Sequence, residues 1–175
     1  MESDYDFFKI LFSNEILQII STETNRYAEQ ILKLRPDENG KRKHSPEWKE
    51  TSPDEIELFL GAILLMGHIH KDKIHDYWST NELIETPMFR KIMPRDRFIS
   101  ILKFLHFADN DGKPSKNSLD YDRLWKIRNI FDKLNFAFKQ LYEPTKEIAV
   151  DEVIIKFKGR VLFRQYIPKK RKQWG

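Results

Sequence analysis

Cysteine is absent from this chain of 175 residues, which excludes disulfide bonds and zinc sites built on thiolates. Such a composition is typical of a reducing compartment, the cytosol or the nucleus. A long apolar run is also missing, because the longest one, 56–69, is interrupted by polar residues and two glycines. It is shorter than the roughly 20 residues that cross a bilayer. The acidic first residues do not form a secretory signal. Because no apolar run is long enough to span a bilayer, we expect a soluble chain.

Acidic residues are missing from the C-terminal end of the sequence. All 27 Asp and Glu lie at or before Glu152, whereas eight of the 31 Lys and Arg follow it. The formal net charge of +4 therefore combines a mildly acidic body with a strongly basic end. Such an end predicts an anionic partner, although the charge alone does not identify the anion.

Apolar residues, by contrast, are present in sufficient number for a packed core, at 40% of the chain. In the N-terminal third they recur at helical spacing from Phe7 to Leu32, which predicts helices there. The polar segments 36–53 and 108–118 are rich in Gly, Pro, Asn and Asp, and we expect them to be exposed loops.

Three helix starts are marked by prolines. Ser52-Pro53-Asp54-Glu55 has the pattern of a capping box with Pro at the first helical position, and its helix should continue to about Gly67. Thr86-Pro87 and Met93-Pro94 indicate two further starts.

The most regular helical pattern lies near the end of this helical region. Its apolar residues recur at steps of three and four and form one stripe over five turns: Leu124, Ile127, Phe131, Leu134, Phe138 and Leu141. We interpret the stripe as the core-facing side of a helix. A dimer seam is the alternative, although such seams usually extend over more heptads.

Beyond Pro144 the pattern changes. β-Branched and aromatic residues dominate 148–157, Lys158-Gly159 has the length of a tight turn, and 161–167 is a second apolar segment. This pattern predicts a β-hairpin. Asp151 lies within its first strand, where β-propensity disfavours an acid.

Asp151 has two explanations. A carboxylate held on a rigid strand suits a divalent metal ion in phosphoryl-transfer chemistry. With a two-residue turn, however, Asp151 lies opposite Tyr166 and diagonal to Arg164, so a cross-strand ion pair with Arg164 also accounts for the acid. Spacing alone favours the ion pair.

Several motifs resemble those of piggyBac-type transposases and their domesticated relatives. The resemblance covers nearly the whole chain, and 148–175 is its most specific part. The motifs are Asp76-Tyr77-Trp78-Ser79, Phe98 to Phe107 with Asp109-Asn110, Asp120 to Arg128, Val150-Asp151-Glu152, Phe157 to Arg160, and Gln165 to Gly175.

The resemblance implies a mainly α fold in two parts. A helical dimerisation and DNA-binding domain would occupy 1–145, and 146–175 would form the first β-hairpin of an incomplete RNase H-like α/β domain with a basic tail. The family cuts and rejoins DNA with three aspartates and magnesium. Asp151 matches the first of these aspartates, while Gly159 and Arg160 match the turn and the start of the second strand.

The family's active site is incomplete within these 175 residues. After Asp151 the only acid is Glu152, which alternation turns to the opposite face of the strand. The family's other two aspartates and its cysteine-rich zinc-binding finger have no counterpart here. Two-metal chemistry needs several carboxylates around ions about 4 Å apart. We therefore expect these residues alone to bind no cofactor. Asp151 should be a magnesium ligand only where other ligands are supplied.

The basic end supplies candidate DNA contacts, whose affinity for phosphates should fall with salt: Lys158, Arg160, Arg164, Lys169, Lys170, Arg171 and Lys172. A solvated edge strand, protected by lysines from pairing with other chains, is the alternative. The run 168–172 also resembles a nuclear import signal, and Lys41-Arg42-Lys43 is a weaker one, so we expect a nuclear location.

His68, His70 and His75 are the other candidate metal group. Helical spacing points His68 and His70 to different sides, and no acid or thiol obviously completes a set. We expect these histidines to occupy a helix end or a loop.

The sequence thus predicts a transposase-derived protein, or a truncated copy, that associates with DNA and is not an enzyme within these residues. One alternative is the N-terminal part of an active magnesium-dependent cut-and-paste transposase. The other is a helical interaction module that forms a homodimer or binds full-length transposase. No membrane partner is expected. The unpaired second strand, which includes Val161 and Phe163, predicts poor solubility or a disordered hairpin when the chain is expressed alone.

Overall fold

The computed structural model describes residues 3–33, 48–115, 118 and 121–143. Two 3₁₀ turns, Ile74–Trp78 and Asn110–Gly112, lie in the connections between the helices of this part. The described ranges contain no strand, and none of their helices is long and apolar enough to cross a membrane. In chain order the α-helices are α1 (Asp4–Leu11), α2 (Asn14–Lys33), α3 (Pro53–His68), α4 (Pro87–Ile92), α5 (Arg95–Phe104) and α6 (Trp125–Leu141).

The mainly helical prediction is confirmed for this part of the chain, and the proline-marked starts are confirmed with it. Helix α3 begins at Pro53, and the Ser52 hydroxyl accepts a hydrogen bond from the Glu55 amide at 3.2 Å. The predicted capping box is only half formed, because the Glu55 carboxylate is bonded to Arg97 and Thr51 instead. The predicted hairpin lies outside the described residues.

The core lies where α2, α3 and α5 pack against one another. Each helix contributes apolar side chains from one face, and the Phe59 and Phe98 rings meet with their centroids 4.8 Å apart. Burial of this much apolar surface is the main stabilising contribution to the fold. The buried side chains of the three helices include Leu17, Ile20, Ile56, Phe59, Phe98 and Ile101.

An aromatic group extends this core towards α4. Tyr77 and Trp78, from the first 3₁₀ turn, are buried and pack against Phe89 of α4 at centroid distances of 4.8 and 5.8 Å. The Trp78 indole N–H donates to the Met93 carbonyl at 2.8 Å, so its polar atom is satisfied inside the core.

The segment before α3 agrees only in part with the exposed loop that we predicted over 36–53, because Lys49, Glu50 and Ser52 are exposed but the segment is also bonded to other helices. Thr51 is buried, and its backbone N–H and carbonyl each form a 2.9 Å hydrogen bond with the Asn25 side chain. Arg97 donates to the carbonyls of Lys49 and Glu50 and lies over the Trp48 ring. The described part of this loop is therefore fixed to α2 and α5 by hydrogen bonds to its backbone.

Helix α6 matches the predicted helix, but its burial differs from the prediction. Ile130 is its buried residue, and Leu134 packs against the core beside it. Phe131 and Phe138 of the predicted stripe are 42% and 53% exposed. Ile127 and Leu141 of the stripe are also exposed, at 40% and 44%. The core-facing interpretation is therefore correct for Leu134 and wrong for Ile127, Phe131, Phe138 and Leu141.

Candidate functional site

The residues that the sequence proposed for catalysis and DNA contact all lie outside the described ranges. This applies to Asp151, to the turn at 158–159 and to the basic residues from Arg160 to Lys172. Their roles stay predictions. The described part of the site is the segment that leads towards them, Tyr121 to Leu141.

The start of α6 is organised by a two-point contact between a carboxylate and a guanidinium. Asp122 accepts from Arg128 at 2.6 and 3.1 Å, and it also accepts the Leu124 amide at 2.8 Å. The Arg128 hydrogen bonds hold the pKa of the Asp122 carboxyl below its usual range, and the same contact raises the pKa of Arg128. Asp122 thus satisfies a free amide before the helix and orients Arg128.

Two further cations flank this contact on the outside of the chain. Arg123 and Lys126 are exposed, and neither forms an ion pair with another residue that the structure describes. The Lys126 ammonium lies 5.7 Å from the centre of the Trp125 ring. Exposed cations at a fixed helix start are suited to contact phosphate oxygens.

The motif Asp76 to Ser79 has a structural role in this part of the chain. The Tyr77 hydroxyl donates to the Ile69 carbonyl at 2.8 Å, and Thr86 donates to the Tyr77 carbonyl at 2.9 Å. Together with the Trp78 bond to Met93, these contacts close the chain between α3 and α4 onto the core.

The motif from Phe98 to Asn110 also holds the fold together. After α5, the His106 ring stacks on Tyr27 of α2 with centroids 4.0 Å apart, and its Nε2 lies 3.1 Å from the Asn110 side chain. Asp109 accepts from Gln30 at 3.1 Å, and hydrogen bonds to its carboxylate lower its pKa, that from the Asp111 amide first. The loop that follows α5 is therefore attached to α2.

The histidines do not form a metal site in the described part of the chain. His68 ends α3, His70 lies in the following loop and His75 lies in the first 3₁₀ turn. No group of three or more His, Cys, Asp or Glu residues among the described residues could hold a metal ion. The expected helix-end and loop positions are confirmed.

Two charged clusters that organise the helices were not predicted from the sequence. Arg97 of α5 pairs with Glu55 of α3 through two hydrogen bonds, one of them 2.6 Å long. Glu57 of α3 accepts from Lys9 and Tyr5 of α1, each at 2.8 Å. The partners in each pair are more than 40 residues apart, so no local spacing signal identifies them.

Comparison with known proteins places the chain in one family. The family model described as Transposase IS4 matches residues 3–175. The human piggyBac transposable element-derived protein 2 is 30% identical over 146 residues, which cover 80% of this chain and 20% of that protein. The human piggyBac transposable element-derived protein 3 is 24% identical over 175 residues, the whole of this chain and 26% of that protein.

A solved structure supports the same assignment. The piggyBac transposase determined by cryo-electron microscopy as a synaptic complex with hairpin DNA superposes with a TM-score of 0.76 at 27% identity. The match covers 96% of this chain and 33% of that one, so the chain spans a third or less of the length of these relatives. From the family model, the relatives and the fold together, the chain belongs to the Transposase IS4 family, among the piggyBac-type transposases and the proteins derived from them.

Proposed function

We propose that these 175 residues associate with DNA as part of a piggyBac transposase-derived protein and do not cut DNA by themselves. The observation that carries the proposal is the fold match over 96% of the chain to a transposase solved with hairpin DNA. A shared fold over almost the entire chain supports a shared partner, while function still depends on the particular residues.

Charge supports the DNA part of the proposal. The eight basic residues after Glu152 have no acid among them, and Arg123 and Lys126 add exposed cations at the start of α6. Each cation that neutralises a phosphate releases counterions, so binding should weaken steeply as salt rises. We expect phosphate contacts without a readable base preference.

A mobility-shift assay tests this proposal with duplex and hairpin DNA at increasing salt. Replacing Lys169, Lys170, Arg171 and Lys172 with Ser should weaken binding and reduce its salt dependence. A matched control removes four exposed lysines elsewhere: Lys73, Lys91, Lys113 and Lys139. Equal loss in both variants, or no shift of the unmodified chain at low salt, would contradict the assignment.

The catalytic part of the proposal rests on the number of carboxylates. Asp151 is the one residue that matches the family's metal-binding aspartates, and the described residues provide no group of three ligands. One carboxylate does not meet the requirement of two-metal phosphoryl transfer. Magnesium binding at Asp151 therefore depends on ligands from outside these 175 residues.

A nicking assay with added magnesium tests this point on the purified chain. We expect no nicked or joined product from either the unmodified chain or Asp151→Asn. Cleavage by the unmodified chain that disappears in Asp151→Asn would overturn the proposal.

The second candidate is an active magnesium-dependent transposase of which these residues are one part. It is favoured by the share of the relatives that the chain spans, 20% and 26% of the two human proteins. Sequencing the transcript beyond the codon for Gly175 distinguishes the two candidates. An open frame that adds two aspartates and a cysteine-rich segment would favour the active enzyme.

We further propose a nuclear location, since 168–172 has the composition of an import signal and the proposed partner is DNA. A fluorescent fusion should accumulate in the nucleus, and the Ser variant of Lys169 to Lys172 should not. Equal nuclear accumulation of both fusions would show that the signal lies elsewhere.

A further inference from the structure

The start of α1 presents an exposed tyrosine between two aspartates. Tyr5 is 56% exposed, and Asp4 and Asp6 on either side of it are exposed as well. The Tyr5 hydroxyl nevertheless has a partner far away in the sequence, because it donates to the Glu57 carboxylate of α3 at 2.8 Å. The side chain is therefore accessible to an enzyme and also takes part in attaching α1 to the fold.

Glu57 is the point at which α1 is bonded to α3. One of its carboxylate oxygens accepts from Tyr5, and the other accepts from the Lys9 ammonium, also at 2.8 Å. Helix α1 has eight residues, and none of them is fully buried. Little apolar burial holds such a helix in place, so the loss of both contacts at Glu57 should release it from α3.

We propose that Tyr5 is a phosphorylation site and that its phosphate detaches α1 from α3. A tyrosine kinase transfers the γ-phosphoryl group of ATP to the Tyr5 Oη, the hydroxyl proton passes to the general base of the kinase, and ADP leaves. The new O–P bond replaces the O–H bond that donates to Glu57. The inference goes beyond the proposed function, since the modification and the release require no DNA.

The phosphate converts the attraction at Glu57 into a repulsion. Glu57 loses the hydrogen that it accepts, and a group with a charge of about −1.5 to −2 takes its place beside the carboxylate. The Lys9 ammonium lies 6.0 Å from the centre of the Tyr5 ring. Lys9 should leave Glu57 for the phosphate, because the phosphate carries the larger charge. Both bonds between α1 and Glu57 are then broken.

The acidic residues around Tyr5 identify the class of kinase. Glu2, Asp4 and Asp6 surround the tyrosine, and the first basic residue after it is Lys9. Kinases select their substrates partly by the charge pattern of the segment that they bind. This segment therefore fits a tyrosine kinase with a basic substrate groove, and local opening of the short α1 would present Tyr5 to it.

Two other tyrosines provide matched controls within the chain. Tyr121 lies in the same tripeptide, Asp120-Tyr121-Asp122, but it is partly buried, and Asp122 is bonded to Arg128. Tyr142 is 68% exposed, but no acid lies among the five residues before it. The first control separates accessibility from sequence context, and the second separates sequence context from accessibility.

Incubation of the full chain with ATP, magnesium and an acid-directed tyrosine kinase tests the modification. Mass spectrometry should locate phosphate on Tyr5, with a rate several-fold higher than on Tyr121 or Tyr142. Asp4→Lys should reduce the rate at Tyr5, because it reverses one of the charges that the kinase binds. Absence of phosphate on Tyr5, or equal rates at the three tyrosines, would overturn the proposed site.

Hydrogen exchange tests the release of α1. In the phosphorylated chain the backbone amides of α1 should exchange on the order of tenfold faster, as expected from the loss of hydrogen bonds to a charged group, whereas those of α5 should not change. Tyr5→Phe is the control and should accelerate exchange less, because it removes the donor but leaves Lys9 on Glu57. Unchanged exchange in the phosphorylated chain would overturn the release.

A variant of Glu57 tests the electrostatic cause. Glu57→Gln removes the negative charge that the phosphate would face, so phosphorylation of this variant should accelerate exchange in α1 less than phosphorylation of the unmodified chain does. The same acceleration in both chains would show that repulsion at Glu57 does not release the helix.

Discussion

The centre of the helical unit and its last helix contain similar side chains in very different surroundings. In α3 and α5 the phenylalanines Phe59 and Phe98 have 0% and 1% of their surface exposed, whereas Phe131 and Phe138 in α6 are about half exposed. All four lie at helical spacing in the sequence. The difference shows that periodicity identifies a helix and its apolar side, while the number of neighbouring helices decides how much of that side is buried.

Ion pairs in the two regions also differ in their exposure to solvent. Arg97 and Glu55 form a two-point contact in the centre, with 16% and 28% of their side-chain surface exposed. Arg128 and Asp122 form a similar contact at the start of α6, with 40% and 31% exposed. Because water screens exposed charges, the central pair should contribute more to stability than the one on α6.

The largest test of the comparison is the pair Phe59→Ala and Phe131→Ala. Phe59→Ala should lower the free energy of unfolding by about 3–5 kcal/mol, because it leaves a cavity against Phe98. Phe131→Ala should lower it by about 1 kcal/mol or less. Chemical denaturation of both variants measures the two values, and equal losses would contradict the contrast.

Tryptophans in the two regions provide the next test. Trp78→Phe removes the indole donor and leaves the Met93 carbonyl buried without it, which should cost about 1–3 kcal/mol. Trp125→Phe at the start of α6 is the control and should change the unfolding free energy by about 0.5 kcal/mol. If Trp78→Phe leaves the unfolding free energy unchanged, water replaces the indole donor.

The pH dependence of stability tests the central ion pair. Hydrogen bonds from Arg97 lower the pKa of Glu55 from its ordinary value of 4.5. The stabilisation is therefore complete above that value and is lost as the pH falls through the lower pKa of the folded state. Glu55→Gln should remove about 1 kcal/mol at neutral pH, after allowance for solvent screening, and should flatten the acid limb. If the stability of Glu55→Gln falls with decreasing pH as steeply as that of the unmodified chain, other carboxylates cause the pH dependence.

The smallest effect is expected at the start of α6. Asp122→Asn retains an acceptor for the Leu124 amide but loses the charge that holds Arg128. Hydrogen exchange of the backbone amides around Leu124 should become faster. The free energy of global unfolding should fall by less than it does in Glu55→Gln. Unchanged exchange at Leu124 would show that the start of α6 is fixed by other contacts.

Local signals predicted the helices because their causes are local. Ser52-Pro53, Thr86-Pro87 and Met93-Pro94 each fix the backbone at a helix start, and α3, α4 and α5 begin where these residues indicate. The burial of α6 could not be predicted in this way. It depends on which helix packs against Ile130, and that information is not contained in the spacing of one helix.

For the candidate site, too, local motifs could be recognised in the sequence, whereas contacts between different helices could not. The motifs from Asp76 to Ser79 and from Phe98 to Asn110 identified the family, yet the structure shows that their residues chiefly hold the helices together. The Arg97–Glu55 contact left no sequence signal, because its partners come from different helices. Asp151 and the basic residues after it stay predictions, since they lie outside the described residues.

The hydrogen bonds from Arg97 to the carbonyls of Lys49 and Glu50 have a practical consequence for protein engineering. With Thr51 bonded to Asn25, these contacts attach the chain just before α3 to α5 and α2. Lengthening a connection adds little closure entropy, about 0.6 kcal/mol for each doubling. An epitope tag or fluorophore inserted between Lys33 and Trp48 should therefore leave the helical unit folded, which makes this position a suitable handle for labelling.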